Sequence, residues 1–144
     1  MLKKYQVNPV DPVKINTVKE MSKKYKLLII EDNQEILAGL YNFLTKRKFE
    51  VVTASDGLEG LKMFDTEKDG YDLVITDLVM PNISGIGVIS IVKEKFPDTP
   101  VIAITGMGEH PEALAIEANA DIVIEKPFDL TELENQIAEL LAKK

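Results

Sequence analysis

Three observations predict an α/β fold built on an open, doubly wound parallel sheet. Five short runs rich in Val, Ile and Leu recur at 26–31, 50–54, 72–77, 101–105 and 121–125. They show little polar alternation, as expected of parallel strands covered on both faces, and each is too short for a typical helix. Between them lie segments with helical apolar spacing, so that strand and helix alternate along the chain. Five such repeats imply helices on both faces of a single sheet.

Residues 1–24 precede this pattern. They carry Pro9, Pro12 and six lysines against Asp11 and Glu20, a net charge of +4, and show no clear apolar period. A flexible basic N-terminal extension is expected here, with the folded domain spanning 25–144. Met21, just before the first strand, is a candidate alternative translation start.

The first strand, in "LLIIED", ends on Glu31 and Asp32. A helix follows over 34–47, with Ile36, Leu37, Leu40, Phe43 and Leu44 on one face. After the second strand, Asp56-Gly-Leu-Glu59 has the form of a capping box, and Leu58, Leu61 and Phe64 mark the next apolar stripe as core. The third strand, in "YDLVITD", ends on Asp77, and the fourth, "VIAIT", on Thr105. Asn119 suits a left-handed helix C-cap. The fifth strand runs into Lys126-Pro127, where a cis bond is one way to hold the lysine inward. The last helix spans 129–142, with Leu130, Leu133, Ile137, Leu140 and Leu141 facing the core and Asp129…Glu132 as a second capping box.

Bulk properties narrow the function. At 144 residues, 45% of them apolar and 28% charged, the chain suits one globular domain. It has no cysteine, which excludes disulfides and thiolate metal sites and makes a reducing cytoplasm the expected location. No apolar run is long enough to span a membrane, and the N-terminus lacks the apolar core of a signal peptide. The net charge is −7, so the chain beyond residue 24 carries −11. Such a body repels phosphates, and direct nucleic-acid binding by the domain is not expected.

In sheets of this kind ligands sit outside the carboxyl ends of the strands. That edge collects Glu31, Asp32 and Asp77 if the first and third strands are neighbours. Three carboxylates in close range oppose one another's ionisation. A hard divalent cation relieves this, and Mg²⁺ favours a few carboxylates with waters and phosphate oxygens. Thr105 adds a hydroxyl donor, and Gly106 leaves room beside it. Lys126 adds an ammonium for a bound anion. Each residue alone has an ordinary explanation: a solvated turn, a strand threonine, a surface lysine. Together they describe a clamp for phosphoryl transfer, with an aspartate as acceptor.

With these residues in hand, the chain resembles a response-regulator receiver domain of two-component signalling over about residues 25–142. The resemblance rests on Glu31-Asp32 after "LLII", on "DLVITDLVMPNISG" with Asp77, Met80, Pro81 and Gly85, on Thr105, and on Lys126-Pro127-Phe128. It implies a flavodoxin-like (βα)5 sheet in the order 2-1-3-4-5, an order documented for a chemotaxis member of the family. It also implies that Asp77 accepts a phosphoryl group from a sensor histidine kinase, a phosphotransfer protein or acetyl phosphate. Asp32, Asp77 and the carbonyl of Val79 would hold Mg²⁺, or Mn²⁺ in its place, with Glu31 acting through a water. Lys126 and Thr105 would bond phosphoryl oxygens, biasing a protein-interaction face between two states. The resemblance makes the domain no enzyme beyond its own phosphorylation and slow autodephosphorylation, and makes a homodimer through the fourth helix, fifth strand and fifth helix a candidate assembly.

Three departures from the family pattern stand out. The usually aromatic switch position holds Val123. The two variable positions beside the site, Val79 and Met107, are both apolar and predict a long-lived phosphoryl state. The interval from Thr105 to Lys126 is about one residue short, so a shortened or irregular fourth helix is expected. His110, beside Pro111, reads as a surface residue. Two alternatives stay open at this point. One is a degenerate receiver that acts as a phosphorylation-independent binding module. The other is a phosphohydrolase of the haloacid-dehalogenase type, which needs an acid two positions after Asp77, where Val79 stands.

Overall fold

A computed structural model describes residues 24–106 and 112–143; residues 1–23 of the basic extension, Met107 to Pro111 and Lys144 lie outside them. The chain order is β1 Lys26–Ile30, α1 Gln34–Lys46, β2 Glu50–Ala54, α2 Gly57–Thr66, β3 Leu73–Asp77, α3 Gly85–Lys95, β4 Val101–Thr105, α4 Glu112–Glu117, β5 Ile122–Glu125 and α5 Leu130–Ala142. All five strands are parallel, in the order β2-β1-β3-β4-β5. This matches the expected architecture, and the expected bounds of the five strands and of the first and last helices hold to within a residue at each end. The described span of α4 is six residues and adjoins the undescribed segment.

β3 and β4 are buried at every position, which is why their sequences carry no polar alternation. The sheet divides the core in two. On one face Leu37, Leu40 and Leu44 of α1 and Leu133, Ile137 and Leu140 of α5 pack on Leu27, Ile29, Leu73 and Ile102. On the other, Phe64, Val88, Ile89, Val92 and Ala115 pack on Leu28, Ile30, Val74 and Val101. Alternation of strand side chains between the two faces sorts neighbours such as Leu27 and Leu28 into opposite clusters.

Helix starts follow their caps. Asp56 Oδ1 accepts from the Glu59 N–H at 2.8 Å, and Glu59 reaches back to the Ser55 N–H at 2.6 Å, one residue earlier than a strict capping box requires. Asp129 Oδ1 accepts from the Thr131 N–H at 2.7 Å rather than from Glu132. Asn33 and Ser84 cap α1 and α3. Asn119 adopts φ 76° as expected, and the Lys126–Pro127 bond is cis.

The amino-terminal edge of the sheet is pinned by charges. Asp121 accepts from the Val101 N–H at 2.7 Å and pairs with Lys93 at 2.8 Å, so one carboxylate ties the starts of β4 and β5 to α3. Asp72 accepts from the Lys26 N–H at 2.8 Å, which joins the starts of β1 and β3. Among the described residues, no helix is long and apolar enough to cross a membrane.

Candidate functional site

The order of strands decides what meets at the carboxyl edge. β1 lies beside β3, with Ile30 level with Thr76, and β3 beside β4, with Asp77 level with Ile104. Glu31, Asp32 and Asp77 are thereby brought together: one carboxylate oxygen from each lies within 4.8 Å of the others. Asp32 is exposed, while Glu31 and Asp77 are 1% and 5% exposed. The burial of two acids in contact with a third is the answer to why charged residues end such apolar strands.

Lys126 reaches this group from beyond β5. Its backbone N–H donates to the Thr105 carbonyl at 2.7 Å, which anchors the residue at the edge of β4. Its ammonium lies 3.2 Å from Glu31 Oε1 and 3.2 Å from Asp77 Oδ2. The remaining carboxylate oxygens lean on the backbone: Glu31 Oε2 accepts from the Asn33 N–H at 3.0 Å, and Asp77 Oδ1 from the Leu78 N–H at 2.9 Å. Glu31 Oε1 has the lysine as an ion-pair neighbour but lacks hydrogen-bond geometry to it.

Three carboxylates and one ammonium leave a formal deficit of two positive charges. Electrostatics of the individual groups agree with that imbalance. Burial pushes the Glu31 carboxyl up to about 7; the Asn33 N–H pulls it down, Asp77 pushes it further up, and Lys126 pulls it down. Burial pulls the Lys126 ammonium down, but Asp77 and Glu31 outweigh it and the net shift is upward. A divalent cation with oxygen ligands matches the missing charge and the donor set.

A second feature suited to an anion sits on β4. The Thr105 hydroxyl is fully buried and has no hydrogen-bond partner among the described residues. Buried hydroxyls are ordinarily bonded, and an orphan at the strand end beside Asp77 is the donor an anion there would use.

The loop after Asp77 is held tightly. Leu78 N–H donates to the Ile104 carbonyl and Gly85 N–H to the Leu78 carbonyl, each at 2.9 Å. A Cβ on Gly85 would stand 2.0 Å from the Asp77 carbonyl oxygen and 2.7 Å from Leu78 Cα. Gly85 is therefore required by close backbone approach, a role its place in the sequence signature did not reveal. The cap by Asn33, whose Oδ1 accepts from the Ile36 N–H at 3.0 Å, was also not anticipated, although an Asn immediately before a helical pattern is a readable N-cap signal.

Val79 is 53% exposed on this loop. Val123 is half-buried against the second core cluster. Met107 and His110 lie outside the described residues. Beside Lys126 opens an apolar cleft of about 590 Å³, lined by Ile36, Gly39, Leu40, Pro127, Phe128 and Leu130 among others.

Comparison with known proteins accounts for this arrangement. Residues 27–138 match the family described as "Response regulator receiver domain". The chain belongs to this family. A probable transcriptional regulator ycf27 of Guillardia theta is 36% identical over 125 residues, covering 86% of this chain and 48% of that protein. The transcriptional regulatory protein YcbL of Bacillus subtilis is 36% identical over 107 residues, covering 74% and 46%. The chain thus spans about half the length of the curated relatives it matches. Among solved structures, a receiver domain from Clostridium thermocellum superposes with a TM-score of 0.77 at 32% identity, covering 83% of this chain and 95% of that one. TrrA of Thermotoga maritima, in complex with Mg²⁺ and BeF, gives 0.73 at 33% identity, covering 81% and 98%. Membership in this family displaces the phosphohydrolase alternative. The chain is a receiver domain of the two-component type, with an acidic cluster suited to Mg²⁺.

Proposed function

We propose that this receiver domain is phosphorylated on Asp77. One observation carries the reading: at the same strand edge as Asp77 stand a lysine 3.2 Å from each of two buried carboxylates and a buried threonine hydroxyl with no hydrogen-bond partner among the described residues. In the proposed step a carboxylate oxygen of Asp77 attacks phosphorus, the O–P bond forms, and the P–N bond to a donor's phosphohistidine breaks. The imidazole leaves and takes up a proton. With acetyl phosphate the bond that breaks is P–O, and acetate leaves.

Asp32, Asp77 and the Val79 carbonyl would hold Mg²⁺ or Mn²⁺, with Glu31 supporting through a water. The metal supplies charge neutralisation at the transferring group. Lys126 trades part of its pairing with Glu31 and Asp77 for a phosphoryl oxygen, and Thr105 donates its free hydroxyl to another. The donor is a sensor histidine kinase or a phosphotransfer protein, and the apolar cleft beside Lys126 offers such a protein a surface next to the acceptor. Satisfying Thr105 changes packing at the end of β4 and so biases the neighbouring helices between two states.

Incubation with acetyl phosphate and Mg²⁺, followed by intact mass measurement, tests this. Wild type should gain one phosphoryl group, and neither Asp77→Asn nor wild type in chelator should. Equal gain by Asp77→Asn would refute Asp77 as acceptor. No gain by any form, including with a kinase donor, would support the phosphorylation-independent binding module instead.

A further inference from the structure

The outer side of β5 carries a charge pattern that the site does not use. From Gly106 to Ala142 the chain has nine acidic residues and a single basic one, Lys126, whose ammonium is turned into the site. This stretch alone carries −8, more than the −7 of the whole chain. Of its acids, Asp121 is paired with Lys93, and Glu134 with Arg47 just beyond α1. Glu117, Glu125, Glu132 and Glu139 are exposed and have no ion-pair partner among the described residues.

These four acids share a side of the molecule. Among the described residues β5 pairs only with β4, and no described strand lies along its other edge. On α5, Leu133, Ile137 and Leu140 face the core and Glu134 faces α1. With about 3.6 residues per turn, Glu132 and Glu139 fall on the opposite flank, over the outer edge of β5. On α4, Ala115 is buried, and Leu114 and Ile116, 52% and 64% exposed, flank it on opposite sides, so one of the two lies toward the β5 edge, next to outward-facing Glu117. The face therefore has an apolar side chain of α4 within an acidic surround.

We infer that residues 1–24 of the same chain dock on this face. Charge complementarity is the first argument. The segment carries +4, and its Val7, Val10, Val13, Ile15 and Val18 supply apolar surface for the exposed apolar flank of α4. Reach is the second. The segment joins the domain just before β1, three strand spacings from β5, or roughly 14 Å. Its 24 residues can extend to roughly 80 Å. Tethering gives it an effective concentration of about a millimolar, so a weak intrinsic affinity suffices to populate the docked form. A second copy docked through the same patch would set acid against acid, because a two-fold interface is self-complementary. The docked segment would cover this face and compete with any other protein for it.

The absence of cysteine makes a clean test available. A nitroxide on Asn8→Cys in the full chain should broaden the amide signals of Leu114–Glu117 and Ile122–Glu125 by at least half at low salt, and leave those of Val51–Thr53 intact. High salt should restore the signals, since attraction between exposed charges is screened. The triple variant Glu117→Lys, Glu125→Lys, Glu132→Lys should abolish the broadening. Adding Lys3→Glu, Lys4→Glu, Lys14→Glu and Lys19→Glu to that triple variant should bring it back. Uniform broadening, none, or broadening that ignores the charge reversals overturns the proposal. So does broadening of an unlabelled ¹⁵N copy mixed with a nitroxide-bearing one, which would make a second copy the occupant.

Discussion

Replacing Glu31 by glutamine removes a buried charge and keeps the shape of the side chain. Burial raises this carboxyl from its ordinary 4.5 to about 7, so the folded state binds its proton more tightly than the unfolded chain does. The stability this proton confers is fully present below about 4.5 and is lost as pH rises through about 7. At ~1.36 kcal/mol per pH unit, carrying Glu31 ionised costs the fold roughly 3 kcal/mol by about pH 8, against a total stability of about 5–15 kcal/mol. Glu31→Gln is free of that cost. Urea unfolding in chelator should therefore show the variant gaining on wild type by about 2–3 kcal/mol between about pH 5 and about pH 8. Mg²⁺ should narrow the gap at the higher pH by stabilising the ionised wild type. A difference that stays constant across this range would refute the reasoning, because it would mean that Lys126 already compensates the charge in full.

Three further perturbations follow from the geometry. Gly85→Ala forces a Cβ to 2.0 Å from the Asp77 carbonyl oxygen, and should lower stability by about 1–3 kcal/mol or more in denaturant titrations while moving the acceptor loop. Asp121→Ala removes the acceptor of the Val101 N–H and the partner of Lys93, with an expected loss of about 2–3 kcal/mol by the same measurement. Exposed, apolar Val79 cannot orient a water. Val79→Asn should shorten the phosphoryl lifetime severalfold in an intact-mass time course, and Val79→Ile should not.

The strands were legible because burial on both faces leaves nothing but apolar residues in them, as in "LVITD" and "VIAIT". The helices were legible because α1 and α5 bury only one stripe each. At the site the chemistry of single residues was ambiguous, and the joint presence of Glu31, Asp32, Asp77, Thr105 and Lys126 carried the reading. What remained hidden depends on distance through space. The bond from Val101 to Asp121 spans 20 residues and that from Lys26 to Asp72 spans 46; no local pattern announces either. The need for glycine at Gly85 is set by a carbonyl that the fold brings against it. Lys126 read as an inward cation, but that it bonds Asp77 while standing 3.2 Å from Glu31 as well is a matter of side-chain packing.

The single sheet also acts as a partition. Leu40 and Leu133 belong to one half-core and Val88 and Val92 to the other, with only the strands between them. Repacking on the α1–α5 layer is thereby buffered from the layer of α2, α3 and α4, so residues in the two layers can drift independently. The apolar cleft beside Lys126 lies on the first layer and α4 on the second. A lineage could retune which protein it meets on one side while keeping what it presents on the other, and the carboxyl edge of the strands, common to both, is the place where a change on one layer is felt by its opposite.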